Sequence, residues 1–405
     1  MAEAFLRVCR IPWNCKAMVS ISADDGYKSD LKFEYLCRMN NLRATFFFLP
    51  KSIGSPGFLS ANDILGLEKS PGFELANHGL THRLFSTLDD TRILQELKTS
   101  GRLFHKIVGR QPQGFAFPHG VTSSTGILEL QKLGYIYGRT TIQQGVSVEY
   151  PIRDLIPLQI SGSLNRINNP FSINRKGQFH WPPFMINLAK RKGGWARFIT
   201  HSRVGKKYPG LEPDVRSILV RIGCDKELYP TTYLGAISYA SSYRNTQLIQ
   251  DHGGSFLIKV PTSPISNTQQ IMLEVHPDFH PESNGRILPS IVQNSHRFFV
   301  LSPGHHEVKL RKNNNLNIDS ITTPNVSISS SHLEIIKPES MDVAIYISEI
   351  SESGQFKIYG PHRCHPGNTQ ESINLLNIFS LKKNGVIWLS MQDKFSSYKT
   401  RIQLE

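Results

Sequence analysis

The sequence predicts a 405-residue protein in two parts: a parallel α/β sheet or barrel over residues 1–250, then a β-rich domain of sandwich type over residues 251–405. Three observations predict this. Short apolar runs alternate with helix-period stretches in the first part, the pattern of β-α-β units with parallel strands. After about residue 250 the helical period stops, and short apolar alternations separated by Ser-, Asn- and Pro-rich turns take over. In the first part, the residues able to do chemistry fall at the ends of the apolar runs. Parallel α/β folds gather their reactive groups at those carboxyl ends.

Taken in order, residues 17–22 (Ala-Met-Val-Ser-Ile-Ser) read as a buried strand, with Asp24 and Asp25 just past it. Residues 43–48 form a second strand and 73–77 a third, with His78 at its end. Residues 114–117 form a fourth, closed by Pro118-His119-Gly120. Between the third and fourth, Ile93, Leu94, Leu97, Phe104 and Val108 keep helical spacing over residues 90–108. Residues 211–245 also read as helical, with Leu211, Val215, Ile218, Leu219 and Ile222 on one face. Strands of the second domain are expected at 256–260, 271–275, 297–301, 343–347 and 385–389. His305, His306, His362 and His365 lie in its loops and read as surface residues rather than a second metal site.

His78 and His82 stand four residues apart in Asn77-His-Gly-Leu-Thr-His82. With a carboxylate from Asp24-Asp25-Gly26 they make a ligand set for one divalent metal. Three protein ligands leave a position open for water, the arrangement of a catalytic rather than a structural zinc site. Each piece has an ordinary reading, a chance pair among 15 His or a plain Asp-Asp-Gly turn. Their shared placement at strand ends favours the site.

Five stretches in order resemble the polysaccharide deacetylase family of NodB-homology type, carbohydrate esterase family 4. They are Ser22-Ala-Asp-Asp-Gly-Tyr27, His78-Gly-Leu-Thr-His82, Phe115-Ala-Phe-Pro-His-Gly120, Gly134-Tyr-Ile-Tyr-Gly-Arg139 and Phe198-Ile-Thr-His201, within residues 15–245. The resemblance implies a distorted (β/α) barrel and removal of an N-acetyl group from a sugar. It implies Asp25, His78 and His82 as ligands of a divalent metal, most simply Zn2+, with Asp24 as general base and His201 as general acid. The backbone N–H of His119 would join the metal in stabilising the oxyanion, a role that tolerates any side chain after Pro118. Ala116 replaces an Arg that steadies the catalytic Asp in many members, and Arg139 would supply that charge instead. Ala23 replaces a common Phe beside the base. His201 and Arg139 also have structural readings, a hydrogen-bonded His and an ion pair at a sheet end. Alternative activities are deformylation or another C–N amide hydrolysis, or glycan binding without turnover.

Hydrophobic residues make up 39% of the chain and charged residues 19%, which excludes wholesale disorder. The five Cys are scattered without Cys-x-x-Cys spacing, so no disulfide framework is indicated. The first residues lack the apolar core of a signal peptide, and no run reaches the ~20 residues of a membrane span. A cytoplasmic location follows as the expectation, with membrane association at most peripheral. The net charge is +14, and Lys190, Arg191, Lys192, Arg197, Arg203, Lys206, Lys207, Arg216 and Arg221 crowd around His201. This cluster reads either as a solvated face or as a contact for an anionic or lipid-linked N-acetylated sugar or oligosaccharide. Nucleic acid is disfavoured, because no recognised binding motif accompanies the charge.

Overall fold

A computed structural model describes residues 5–70, 72–140, 148–150, 159–163, 182–202, 204–205, 208–209, 213–251, 254–262, 270–288, 290–293, 296–312 and, beyond these, the strands between 325 and 403. The chain divides into two compact units, one of Asn14–Ser241 and one joining Met1–Trp13 to Ser242–Glu405. The sequence boundary at residue 250 missed this exchange. A short first strand, β1 (Leu6–Val8), pairs antiparallel with Leu273–Val275 and so leaves the unit that follows it.

The α/β unit runs β2 (Ala17–Asp25), α1 (Asp30–Met39), β3 (Ala44–Phe48), α2 (Ala61–Lys69), β4 (Phe73–Asn77), α3 (Asp90–Val108), β5 (Gly114–Ala116), α4 (Ser124–Lys132) and β6 (Tyr137–Arg139). It continues through β7 (Val148–Tyr150), β8 (Gln159–Ser163), α5 (Pro182–Lys192), β9 (Trp195–Thr200), a hairpin of β10 (Val204–Gly205) and β11 (Tyr208–Pro209), α6 (Pro213–Cys224), β12 (Leu228–Pro230) and α7 (Tyr233–Asn245). The sheet order is β7-β6-β5-β4-β3-β2-β9-β8, parallel except where β7 meets β6. The stretch expected to be one helical region is interrupted by β12. That strand lies parallel to Ala17–Val19 of β2, on the edge that β3 occupies further along. Pro230 cannot continue a helix, and the open edge of β2 offers the preceding residues a ladder.

Caps set the helices that frame the site. The Ser60 side chain accepts from the Asp63 N–H and the Asp63 carboxylate accepts from the Ser60 N–H, a reciprocal box at the start of α2. Asp89 caps α3, which ends at Gly109 in the left-handed region, φ 87°. In β2 the alternation is strict: Ala17, Val19, Ile21 and Ala23 join Phe33, Phe46, Phe104 and Leu219 in the core under the helices. Ser20, Ser22 and Asp24 therefore face the other side of the sheet. All nine residues of β2 are buried, so these polar groups lie inside the protein rather than on its surface.

The other unit is antiparallel throughout its described sheets. It adds β13 (Gln247–Gln250), β14 (Ser255–Val260), β15 (Ile271–Val275), β16 (Phe279–Ser283), β17 (Arg286–Ile287), β18 (Ile291–Gln293), β19 (His296–Leu301) and β20 (Gly304–Lys312). These form the sheets β1-β15-β19-β18 and β13-β14-β20-β16-β17. Phe256, Ile258 and Val260 of β14 are buried while Leu257 and Lys259 are exposed, the period of two that a half-buried strand requires. Later strands make a three-stranded and a four-stranded sheet, and the expected strands at 343–347 and 385–389 fall in the latter. Among the described residues no helix is long and apolar enough to cross a membrane. The described cysteines, Cys9, Cys15, Cys37 and Cys224, form no disulfide with one another.

Candidate metal centre

Two consecutive carboxylates can serve one centre only if the strand's alternation is broken between them. Asp25 does this with φ 79°, a left-handed conformation that non-glycine residues adopt at a cost. Gly26 follows at φ 80°, and a Cβ there would stand 2.7 Å from the Cβ of Phe48, so only glycine fits the turn. His82, φ 57°, and His119, φ 58°, are left-handed as well. Three of the seven non-glycine residues with positive φ among the described residues thus fall at the expected site.

Asp25 Oδ1 lies 3.4 Å from His78 Nε2 and 3.2 Å from His82 Nε2. Together these three residues offer ligand atoms within 4.8 Å of one another. The fit to a metal can be tested on that geometry. Bonds of ~2.0–2.1 Å in tetrahedral array place neighbouring ligand atoms about 3.3 Å apart, close to both separations. His78 Nδ1 lies 2.8 Å from the carbonyl oxygen of Ala116. A carbonyl only accepts, so Nδ1 carries a proton and leaves Nε2 as the nitrogen that faces Asp25 and would bind a metal. Burial pushes the Asp25 carboxyl up, but the two imidazoles outweigh it and hold it well below the ordinary carboxylate range, with His201 adding to the effect. The Asp25 carboxylate in turn raises His82. Two imidazoles and a carboxylate, an all-N/O set, suit zinc or a similar divalent ion. Among the described residues this is the one such cluster, and His305 and His306 stand apart on β20.

Asp24 takes a different partner. Arg139 Nη2 donates to its Oδ2 at 2.6 Å, both groups being buried, while Oδ1 is buried with no hydrogen-bond partner among the described residues. Its Oδ2 also lies 4.0 Å from His78 Nε2. His201 sits just past the end of β9, near enough to act on Asp25. His119 is brought closer than a backbone role requires: its ring meets that of His82 at 4.6 Å between centroids, and its Nε2 lies 3.2 Å from the His82 carbonyl oxygen.

Sequence reasoning passed over the groups that hold these in place. Glu96, on the buried face of α3, accepts from the N–H of Leu80 and of Thr81 and from the Thr81 hydroxyl. It pins the turn between His78 and His82; an acid on an apolar helix face was the available signal. Asn77 accepts from the Gly79 N–H and donates to Ser100 and Tyr135. Ser202 donates to Asp30 at 2.5 Å, joining the residue after His201 to the start of α1. Burial pushes the Asp30 carboxyl well above its usual range.

The basic cluster around His201 is not one surface. Arg197 is wholly buried, because its place on β9 points it away from solvent. Lys190 pairs with Asp225 at 2.9 Å and Glu227 at 2.6 Å. Arg191, Lys192, Arg216 and Arg221 are exposed. Arg203, Lys206 and Lys207 lie outside the described residues.

Residues 14–138 match the family model described as polysaccharide deacetylase. Among solved structures, the chain is similar to a deacetylase of Streptococcus pyogenes, PplD, in complex with acetate (20% identity, TM-score 0.28, covering 30% of this chain and 54% of that one). It is similar to a family 4 carbohydrate esterase of Streptomyces lividans in complex with acetate (19%, TM-score 0.34, 53% and 91%). It is also similar to a pseudoenzyme of that family from Bacillus anthracis (13%, TM-score 0.36, 54% and 65%). The chain thus spans about half the length of the streptococcal protein. No curated protein matches it.

Proposed function

We propose that this chain, whose residues 14–138 belong to the polysaccharide deacetylase family, is a metal-dependent hydrolase that removes an N-acetyl group from an N-acetylated sugar and releases acetate. The observation that carries the reading is a division of labour between adjacent carboxylates: Asp25 faces two imidazoles while Asp24 is held by Arg139.

Asp25, His78 and His82 would hold a divalent ion, which supplies a more acidic water and a polarised carbonyl. Arg139 fixes Asp24 through Oδ2 and leaves the buried Oδ1 to accept the water's proton. His201 delivers a proton to the departing nitrogen. The backbone N–H of His119 donates to the oxyanion. The His119 ring buttresses His82. We assign the antiparallel sheets after Ser242 to an accessory sandwich domain.

The test is a mass-spectrometric screen of the zinc-loaded protein for loss of an acetyl group from neutral, uronic-acid-bearing and lipid-linked N-acetylated sugars. Acetate release that disappears with chelator is the expected result. Formate release instead would point to deformylation. Glycan binding with background release for every sugar would replace the enzyme by a binding protein.

A further inference from the structure

Arg197 poses a charge problem that the proposed chemistry does not use. In β9, Ala196 and Phe198 join the core under the helices, so Trp195 and Arg197 face the opposite side of the sheet. Arg197 lies in register with Ser20 of β2, and Trp195 Nε1 donates to Ser20 Oγ at 2.9 Å, so this is the face that carries Asp24 and Arg139. The Arg197 side chain is wholly buried, its guanidinium 5.1 Å from the centre of the Trp195 ring. Its Nε, Nη1 and Nη2 have no hydrogen-bond partner among the described residues, nor do Nε and Nη1 of Arg139.

Ser20, in register with Arg197, has a donor to spare. Ser20 Oγ already accepts from Trp195, which leaves its hydroxyl hydrogen to give. Asp24 balances one guanidinium, and no described carboxylate pairs with the other. Burial, with repulsion from Arg139, pulls Arg197 down to about 10, so it remains charged at neutral pH. A buried charge whose nitrogens have no hydrogen-bond partner is strongly disfavoured unless a counter-ion joins it.

We propose that the polar inner face of the α/β sheet binds one small monovalent inorganic anion, of chloride type, held by Arg197, the free nitrogens of Arg139 and the Ser20 hydroxyl. A multivalent oxyanion is disfavoured, because it would surrender far more hydration on entering a site flanked by the buried rings of Trp195, Tyr233 and Phe47. The anion occupies the side of Arg139 away from Asp24 and so steadies the group that orients the base. Its test uses no substrate and so stands apart from any deacetylase activity.

The experiment is thermal unfolding of the full-length protein in sodium gluconate, with chloride or bromide exchanged in at constant ionic strength. The expected result is a saturable rise in Tm on the order of 2–4 °C for a unit of this size, lost in Arg197→Met. Bromide introduced into crystals should give an anomalous peak within hydrogen-bonding distance of the Arg197 guanidinium, a readout that needs no variant to fold. Absence of both the halide dependence and the peak overturns the proposal. An equal Tm rise in folded Arg197→Met protein assigns the effect to surface ions and overturns it too.

Discussion

Both units bury carboxylates on strands, and Glu274 and Asp24 are treated differently. Glu274 on β15 is fully buried and compensated: Arg7 donates to its Oε2 at 2.7 Å, and His296 Nδ1 lies 2.6 Å from its Oε1. Asp24 is nearly as buried, yet its Oδ1 has no hydrogen-bond partner among the described residues. A protein that only needs stability satisfies what it buries, because an unmet buried polar atom carries its full desolvation penalty. In the proposed reading the unmet Oδ1 of Asp24 is kept for chemistry, whereas the satisfied Glu274 serves architecture.

The sharpest way to break the comparison is to remove a ligand. His78→Ala should abolish both stoichiometric metal and turnover while the fold persists, because a catalytic site in a large domain is not its main source of stability. Metal analysis alongside circular dichroism checks this, and full metal occupancy in the variant would refute the ligand assignment. Asp24→Asn keeps the shape and removes only a proton acceptor. Metal should stay while kcat falls by ~10²–10⁴; loss of the metal instead would mean that the roles of the two Asp are exchanged.

Smaller effects sharpen the contrast. Glu96→Ala frees the turn between His78 and His82, and losing such a supporting group weakens metal affinity by ~10–100-fold. A chelator-competition titration reads that change, and an affinity equal to wild type would show that the turn holds itself. Glu274→Gln should leave metal and kcat untouched and lower stability by about 1–2 kcal/mol. Its partners Arg7 and His296 are partly exposed and regain water when the charge goes. Denaturant unfolding measures it, and any loss of metal on this substitution would erase the distinction between the two regions.

Much of the site was legible because its parts are local. The ends of β2 and β4 and the turn after β5 can be read from apolar runs, and parallel topology then gathers whatever follows them. Asp24-Asp25-Gly26 carries its own reason in the chain, a left-handed turn pressed against Phe48 that glycine alone permits. The helix at residues 90–108 was readable to the residue, since one apolar stripe, an Asp cap and a terminal Gly agree. The basic run around His201 was legible as charge but not as place. Pattern alone cannot say that Arg197 turns inward or that Lys190 is spent on Asp225 and Glu227.

By itself, then, the sequence determined strand and helix period, the turn chemistry and the order of the reactive residues, all properties set by neighbours along the chain. Only the tertiary structure decided which distant partner each group meets: the Ala116 carbonyl on His78, Glu96 under the turn, Arg139 on Asp24, and β1 taken into the other unit. Those pairings join residues up to 269 positions apart, Leu6 with Val275. They follow from strand order and packing, which no local pattern encodes.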